Sequence, residues 1–112
     1  MKVLNIDVDF NLYDADMCEK AENAMEKVQE EIQKCMQEKD LKRSKALRET
    51  CNLIDNFFVE TLNKETVEKL FGGKADVMLR IKAFRDFALG LQAQDKELEE
   101  ISKEFMPKRD RK

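Results

Sequence analysis

The 112-residue chain has no histidine and no tryptophan, and it contains only three glycines and one proline. Histidine is the commonest general base and zinc ligand in proteins, so its absence excludes His-dependent hydrolases and His-ligated metal sites. Few glycines and prolines, together with 40% charged residues, are typical of long solvated helices. We therefore expect a mainly α protein: a helical bundle of three to four helices with a short N-terminal β-strand or hairpin.

Other absences limit the surroundings and partners of the protein. No stretch approaches the roughly 18 apolar residues of a membrane span, and no secretion signal is visible at the N-terminus. The net charge is −3 with both signs mixed, and only the tail PKRDRK is basic, which argues against a nucleic-acid binder. Three cysteines, Cys18, Cys35 and Cys51, lack metal-ligand spacing and indicate free thiols. The sequence thus predicts a cytoplasmic protein with neither a membrane nor a nucleic-acid partner.

The N-terminal run NIDVDFNLYDAD includes an Asp-x-Asp pair, Asp7 and Asp9, of the kind that holds Mg²⁺ in phosphoryl-transfer enzymes. A calcium loop would need glycine and glutamate where Leu12 and Cys18 stand. A phosphotransfer site would need a parallel sheet, which the helical remainder does not supply. A Mg²⁺-dependent enzyme using this pair is the weakest alternative. We expect no catalytic residue, no metal site and no cofactor.

Residues 2–12 alternate between apolar and polar side chains, which predicts one strand with a single buried face. Leu4, Ile6 and Val8 lie on that face. A single strand leaves its backbone groups unpaired and needs a partner, which is an irregular segment of the chain, another copy or another protein.

From Asp14 onward the period becomes helical, and we treat residues 1–112 as a single domain. The predicted parts are the strand 2–12, a helical core over 14–91, and a charged C-terminal helix extension with a basic tail over 92–112. The helices are expected over 15–38 after a cap at Asp14 or Asp16, over 40–62, over 64–71 between a cap at Asn63 and a stop at Gly72-Gly73, and from a cap at Asp76 to Met106 before Pro107.

The last helix carries an apolar seam that Arg80 and Gln94 interrupt. Beyond residue 92 the seam thins to Leu98, Ile101 and Phe105 among charged residues. Such a stripe docks on a partner or a second copy, or it packs on the first helix of its own chain. The stripe and the strand together predict self-association, with the following partner-binding residues: Leu4, Ile6, Val8, Leu98, Ile101 and Phe105.

Three segments carry a resemblance to a known family: LYDADMCEKAENAMEKV, CNLIDNFFVETL and KLFGGKADVMLRIKAFRDF. Over residues 3–90 the chain resembles a family of small, largely uncharacterised phage and prophage proteins of Gram-positive bacteria, encoded among the tail genes and similar to tail assembly chaperones. One departure is Asn63, where the family often has glycine. The positions that carry the resemblance are Phe57, Phe58, Leu70, Phe71, Gly72, Ala83, Phe84 and Phe87.

This resemblance implies a non-enzymatic binding protein in the host cytoplasm. A tail assembly chaperone binds the long helical tape-measure protein during tail morphogenesis and keeps it soluble. The alternative from another class is a small phage-encoded regulator that inhibits or triggers a host protein, such as one of a defence system.

Overall fold

The computed structural model describes residues 1–105, and the side chains of residues 1–104. The fold is the predicted mainly α bundle with a short N-terminal hairpin. Within residues 1–105, no helix has both the length and the apolar character needed to cross a bilayer. The predicted helix end at Met106, the stop at Pro107 and the basic tail lie outside the described residues. The elements are β1 (Lys2–Val3), β2 (Ile6–Asp7), α1 (Ala15–Met36), α2 (Arg43–Thr61), α3 (Lys64–Phe71) and α4 (Val77–Phe105).

The prediction of one strand over residues 2–12 is wrong, because the segment folds back on itself as a hairpin. β1 and β2 pair antiparallel, with Val3 opposite Ile6. Leu4 and Asn5 form the turn with φ angles of +52° and +66°, the left-handed conformation that a two-residue type I′ turn requires. Beyond β2, the backbone N–H of Val8 donates to the carbonyl of residue 1 at 2.8 Å. The strand pairing of β1 is therefore supplied by the same segment and not by another chain.

The helix ends follow the predicted capping chemistry. The Asp14 side chain accepts hydrogen bonds from two backbone N–H groups at the start of α1, and Asp76 does the same at the start of α4. Asn63 has an extended backbone, and its side chain accepts from the N–H of Thr66 at 2.7 Å. Gly72 ends α3 in the left-handed conformation, with φ of +56°. These local signals mark the connection before α1, the one between α2 and α3 and the one between α3 and α4.

α2 is the central helix, since it packs on α1, α3 and α4. Its Phe57 and Phe58 are almost fully buried, as is Phe87 of α4. The rings of Phe57 and Phe58 lie edge-on to that of Phe87, with centroids 5.6 and 5.7 Å apart, and Phe10 from the N-terminal segment approaches Phe87 at 5.1 Å. Edge-to-face pairs of this kind contribute about 0.5–1.5 kcal/mol each beyond the burial of their area.

Polar side chains of α4 hold the N-terminal segment in place. Asp86 accepts a hydrogen bond from the N–H of Leu4 at 2.9 Å. Gln94 accepts from the N–H of Leu12 at 2.8 Å and donates to the carbonyl of Phe10 at 3.0 Å. Gln94 therefore interrupts the apolar seam because its amide group hydrogen-bonds the extended backbone that crosses the seam. That backbone pairs with no strand of the described chain at these positions.

Arg80 interrupts the same seam and is only 3% exposed. Its guanidinium forms a two-point pair with the Asp55 carboxylate of α2, at 2.9 and 3.2 Å. It also donates to the backbone carbonyls of Lys74 and Asp76, and it lies 4.4 Å from the centre of the Phe71 ring. One side chain thus joins α2, the end of α3, the connection after it and α4.

Candidate helix-binding groove

An open groove of about 930 Å³ runs along one side of the bundle. It forms because α1 and α4 both pack on α2 but scarcely touch each other. The C-terminal half of α1, the N-terminal half of α2 and the start of α4 supply its three walls. Its apolar lining consists of Ile32, Cys35, Met36, Leu41, Ala46, Leu47, Ile54, Val77, Ile81 and Phe84.

Three of the lining side chains are large, apolar and exposed, one from each helix. Met36 of α1 is 77% exposed, Leu47 of α2 is 39% exposed and Ile81 of α4 is 48% exposed. Leu47 and Ile81 lie on the apolar faces of their helices, but no further element of the described chain covers them. Met78 of α4 is also outside the core, with 57% of its surface exposed, although it does not line the groove.

The charged groups at the groove are unevenly distributed. Glu26, Glu30 and Glu38 line it from the α1 side, and Arg43 lines it at the beginning of α2. The start of α4 contributes only apolar lining residues. The groove thus has one acidic wall and one apolar wall, with a single cation near one end.

The sequence-predicted partner-binding residues do not form this groove. Val8 is 6% exposed and belongs to the core, so in the folded chain it offers no surface to a partner. Leu4 and Ile6 are half-buried against the core, because the hairpin packs on α4. Leu98 and Ile101 remain exposed at 46% and 47%, so they do not pack on α1. Phe105 was predicted to continue their stripe, and its side chain lies outside the described part.

Asp7 and Asp9 are both exposed at the N-terminal hairpin. Within residues 1–105, no group of three or more Asp, Glu, Cys or His side chains is arranged to hold a metal ion. In this structure Asp7 and Asp9 are therefore hydrated side chains on the outer face of the N-terminal segment.

The surroundings of the cysteine thiols and of the tyrosine hydroxyl affect whether these groups ionise. All three cysteines are free, and Cys35 and Cys51 are buried. Burial raises the pKa of the Cys51 thiol, while the neighbouring Arg80 acts in the opposite direction. Desolvation and the hydrogen bond to Glu97 raise the pKa of Tyr13, whose hydroxyl lies 2.8 Å from that carboxylate. Both groups therefore remain protonated at neutral pH, which is unfavourable for a nucleophile.

Sequence reasoning missed the residues that open the groove and those that hold the N-terminal segment. The signal for the groove was weak: Met36 lies near the end of a predicted helix, with no assigned contact. The signal for Arg80 and Gln94 was their position in an apolar seam, where a polar side chain needs a hydrogen-bonding partner.

The fold and the groove together define a small helical protein with an uncovered apolar surface between three helices. The chain belongs to a family of unknown function, DUF6673, which matches residues 4–112. No curated protein matches the chain. No solved structure matches it either.

Proposed function

We propose that this protein is a non-enzymatic binding protein that holds a helix of another protein in the groove between α1, α2 and α4. The biological role that fits this activity is that of a phage tail assembly chaperone, which binds the tape-measure protein in the host cytoplasm. The observation that carries the proposal is the exposure of Met36, Leu47 and Ile81 around one apolar trough. The resemblance to tail-gene proteins supplies the candidate partner.

The dimensions of the groove support a helical occupant. Its α1 wall extends from Glu26 to Met36, which is about 15 Å, or nearly three turns, at 1.5 Å per residue. Amphipathic helices bind such troughs through apolar side chains that recur every three or four residues. Met36 suits this role because its unbranched side chain adapts to different apolar partners.

Co-expression with the tape-measure protein tests the proposal. We expect the wild-type chain to raise the soluble fraction of the tape-measure protein and to co-purify with it. Ile81→Glu places a charge in the groove and should abolish both effects. Leu89→Glu is the matched control, because Leu89 is a 54% exposed apolar residue on the same helix and does not line the groove.

Three outcomes count against the proposal. An insoluble tape-measure protein in the presence of the folded wild-type chain would exclude the chaperone role. Equal losses in Ile81→Glu and Leu89→Glu would mean that the groove is not the binding surface. Capture of one host protein through the groove, with no tail protein, would favour the alternative of a regulator.

A further inference from the structure

We propose that the groove selects a cationic amphipathic helix, one that carries lysine or arginine along the edge facing α1. This inference rests on the proposed function and adds to it the charge and the orientation of the bound helix face. It follows from the distribution of ionised groups around the groove.

The acidic wall has a spacing that suits a helix. Glu26 and Glu30 are one turn apart on α1, so their carboxylates lie on the same face of that helix. Both are exposed, and within residues 1–105 neither forms a salt bridge. Two exposed carboxylates that form no salt bridge among the described residues, at the edge of an apolar surface, are available to pair with a partner's cations at one-turn spacing.

The other charged residues at the groove determine at which end the attraction for a cationic helix is greatest. Glu38 also lines the groove, but Arg43 lines the same end and offsets it. Opposite the acidic wall, Val77 and Ile81 offer only apolar contacts. The bound helix therefore has its basic edge beside Glu26 and Glu30 and its apolar face on α2 and α4.

The charge distribution also disfavours a second copy of this chain as the occupant. The exposed apolar stripe of Leu98 and Ile101 is the chain's own candidate for insertion into a groove. Residues 95–104 around it carry five acidic side chains and two lysines. Such a segment would place like charges beside the acidic wall, which lowers affinity and slows association.

Model helical peptides of about 14 residues test the inference, since that length spans the helical wall of the groove with about two residues to spare at each end. Three peptides share one apolar face and differ only in the flanking positions, which are lysine, glutamine or glutamate. Binding is measured by fluorescence anisotropy at about 0.05 M and 0.5 M salt, where the screening lengths differ about threefold. At low salt we expect the lysine peptide to bind roughly tenfold more tightly than the glutamine peptide and the glutamate peptide to bind weakest, as two rim ion pairs would give.

Matched variants of the protein locate the effect. Glu26→Gln/Glu30→Gln should reduce the preference for lysine over glutamine to about twofold. Glu99→Gln/Glu100→Gln removes the same charge from the far part of α4 and should leave the preference intact. Circular dichroism checks that each variant retains its helices.

The outcomes separate this inference from the function on which it rests. Equal affinity for all three peptides, or a preference that survives Glu26→Gln/Glu30→Gln, would overturn the charge selection and leave helix binding in place. Binding of none of the peptides would overturn both. Tight binding of the glutamate peptide, or a dimer of the protein that excludes every peptide, would also overturn the selection and would point to a second copy as occupant.

Discussion

Replacement of Arg80 by methionine tests whether its buried ion pair holds the second half of the bundle together. Methionine keeps an unbranched apolar stem against Phe71 but removes every guanidinium hydrogen bond. The change leaves the Asp55 carboxylate without its partner and the carbonyls of Lys74 and Asp76 without their donor. The substitution therefore affects the hydrogen bonding of the surrounding polar groups more than the volume packed in the core.

The magnitude follows from the environment of the two charges. Removing one partner of a fully buried ion pair costs about 3–5 kcal/mol. The Arg80 side chain is 4% exposed but that of Asp55 is 27% exposed, so water recovers part of the loss and we expect about 2–4 kcal/mol. For a chain of this length, each kcal/mol lowers Tm by roughly 4 °C.

Urea denaturation followed by circular dichroism measures this loss. The double variant Arg80→Met/Asp55→Leu should recover part of it, because no unpaired charge then remains. Arg80→Lys should fall between the wild type and Arg80→Met, since an ammonium cannot reproduce the two-point pair. A free energy of unfolding for Arg80→Met within about 0.5 kcal/mol of the wild type would refute the reasoning, because surface substitutions cost that little.

Three further predictions concern individual contacts. Gln94→Ala should lower the free energy of unfolding by about 1–3 kcal/mol and should speed amide exchange in the N-terminal segment. The exposed control Gln92→Ala should do neither. Equal amide exchange in the two variants would contradict the contact. Thiol labelling with excess reagent should modify Cys18 first and Cys51 last, with the difference lost in urea; rapid labelling of both in the folded protein would contradict the burial. Gly90→Ala should raise the free energy of unfolding, measured by urea denaturation, by less than the roughly 1 kcal/mol typical of a helix interior. The reason is that the new Cβ would lie 2.7 Å from a methionine side-chain carbon. A full increase of about 1 kcal/mol would contradict this packing.

The helices were predictable because their signals are local. Predicted bounds of 15–38 and 40–62 compare with Ala15–Met36 and Arg43–Thr61 in the structure. The caps at Asp14 and Asn63 act within three residues of the groups they satisfy, so no tertiary information is needed to place them.

The N-terminal hairpin was not predictable from alternation alone. A two-residue turn leaves the alternating pattern nearly continuous, so residues 2–12 fit one strand as well as two. The usual turn signal is glycine, and here the left-handed positions are occupied by Leu4 and Asn5. Asparagine tolerates that conformation, but leucine rarely adopts it, which hid the turn.

The groove could not be predicted because its walls are far apart in sequence. Periodicity shows that Leu47 and Ile81 lie on apolar helix faces, but it does not show whether another element covers those faces. In the structure α1 and α4 make few contacts with each other, and Leu47 and Ile81 stay exposed. Arg80 and Gln94 were recognised as interruptions of the seam, but their partners come from other elements and are set only by the fold.

The attachment of the N-terminal segment to α4 also has a consequence for the order of folding. Leu4 and Asp86 are 82 residues apart in the chain, as are Leu12 and Gln94. Contacts between residues so far apart in sequence require closure of a long loop before they contribute any stabilisation. They therefore form late and slow the overall folding rate. We expect α1 and α2 to pair first and the hairpin to dock last. During synthesis the first dozen residues must therefore wait, with their apolar side chains uncovered, until nearly the whole chain has left the ribosome.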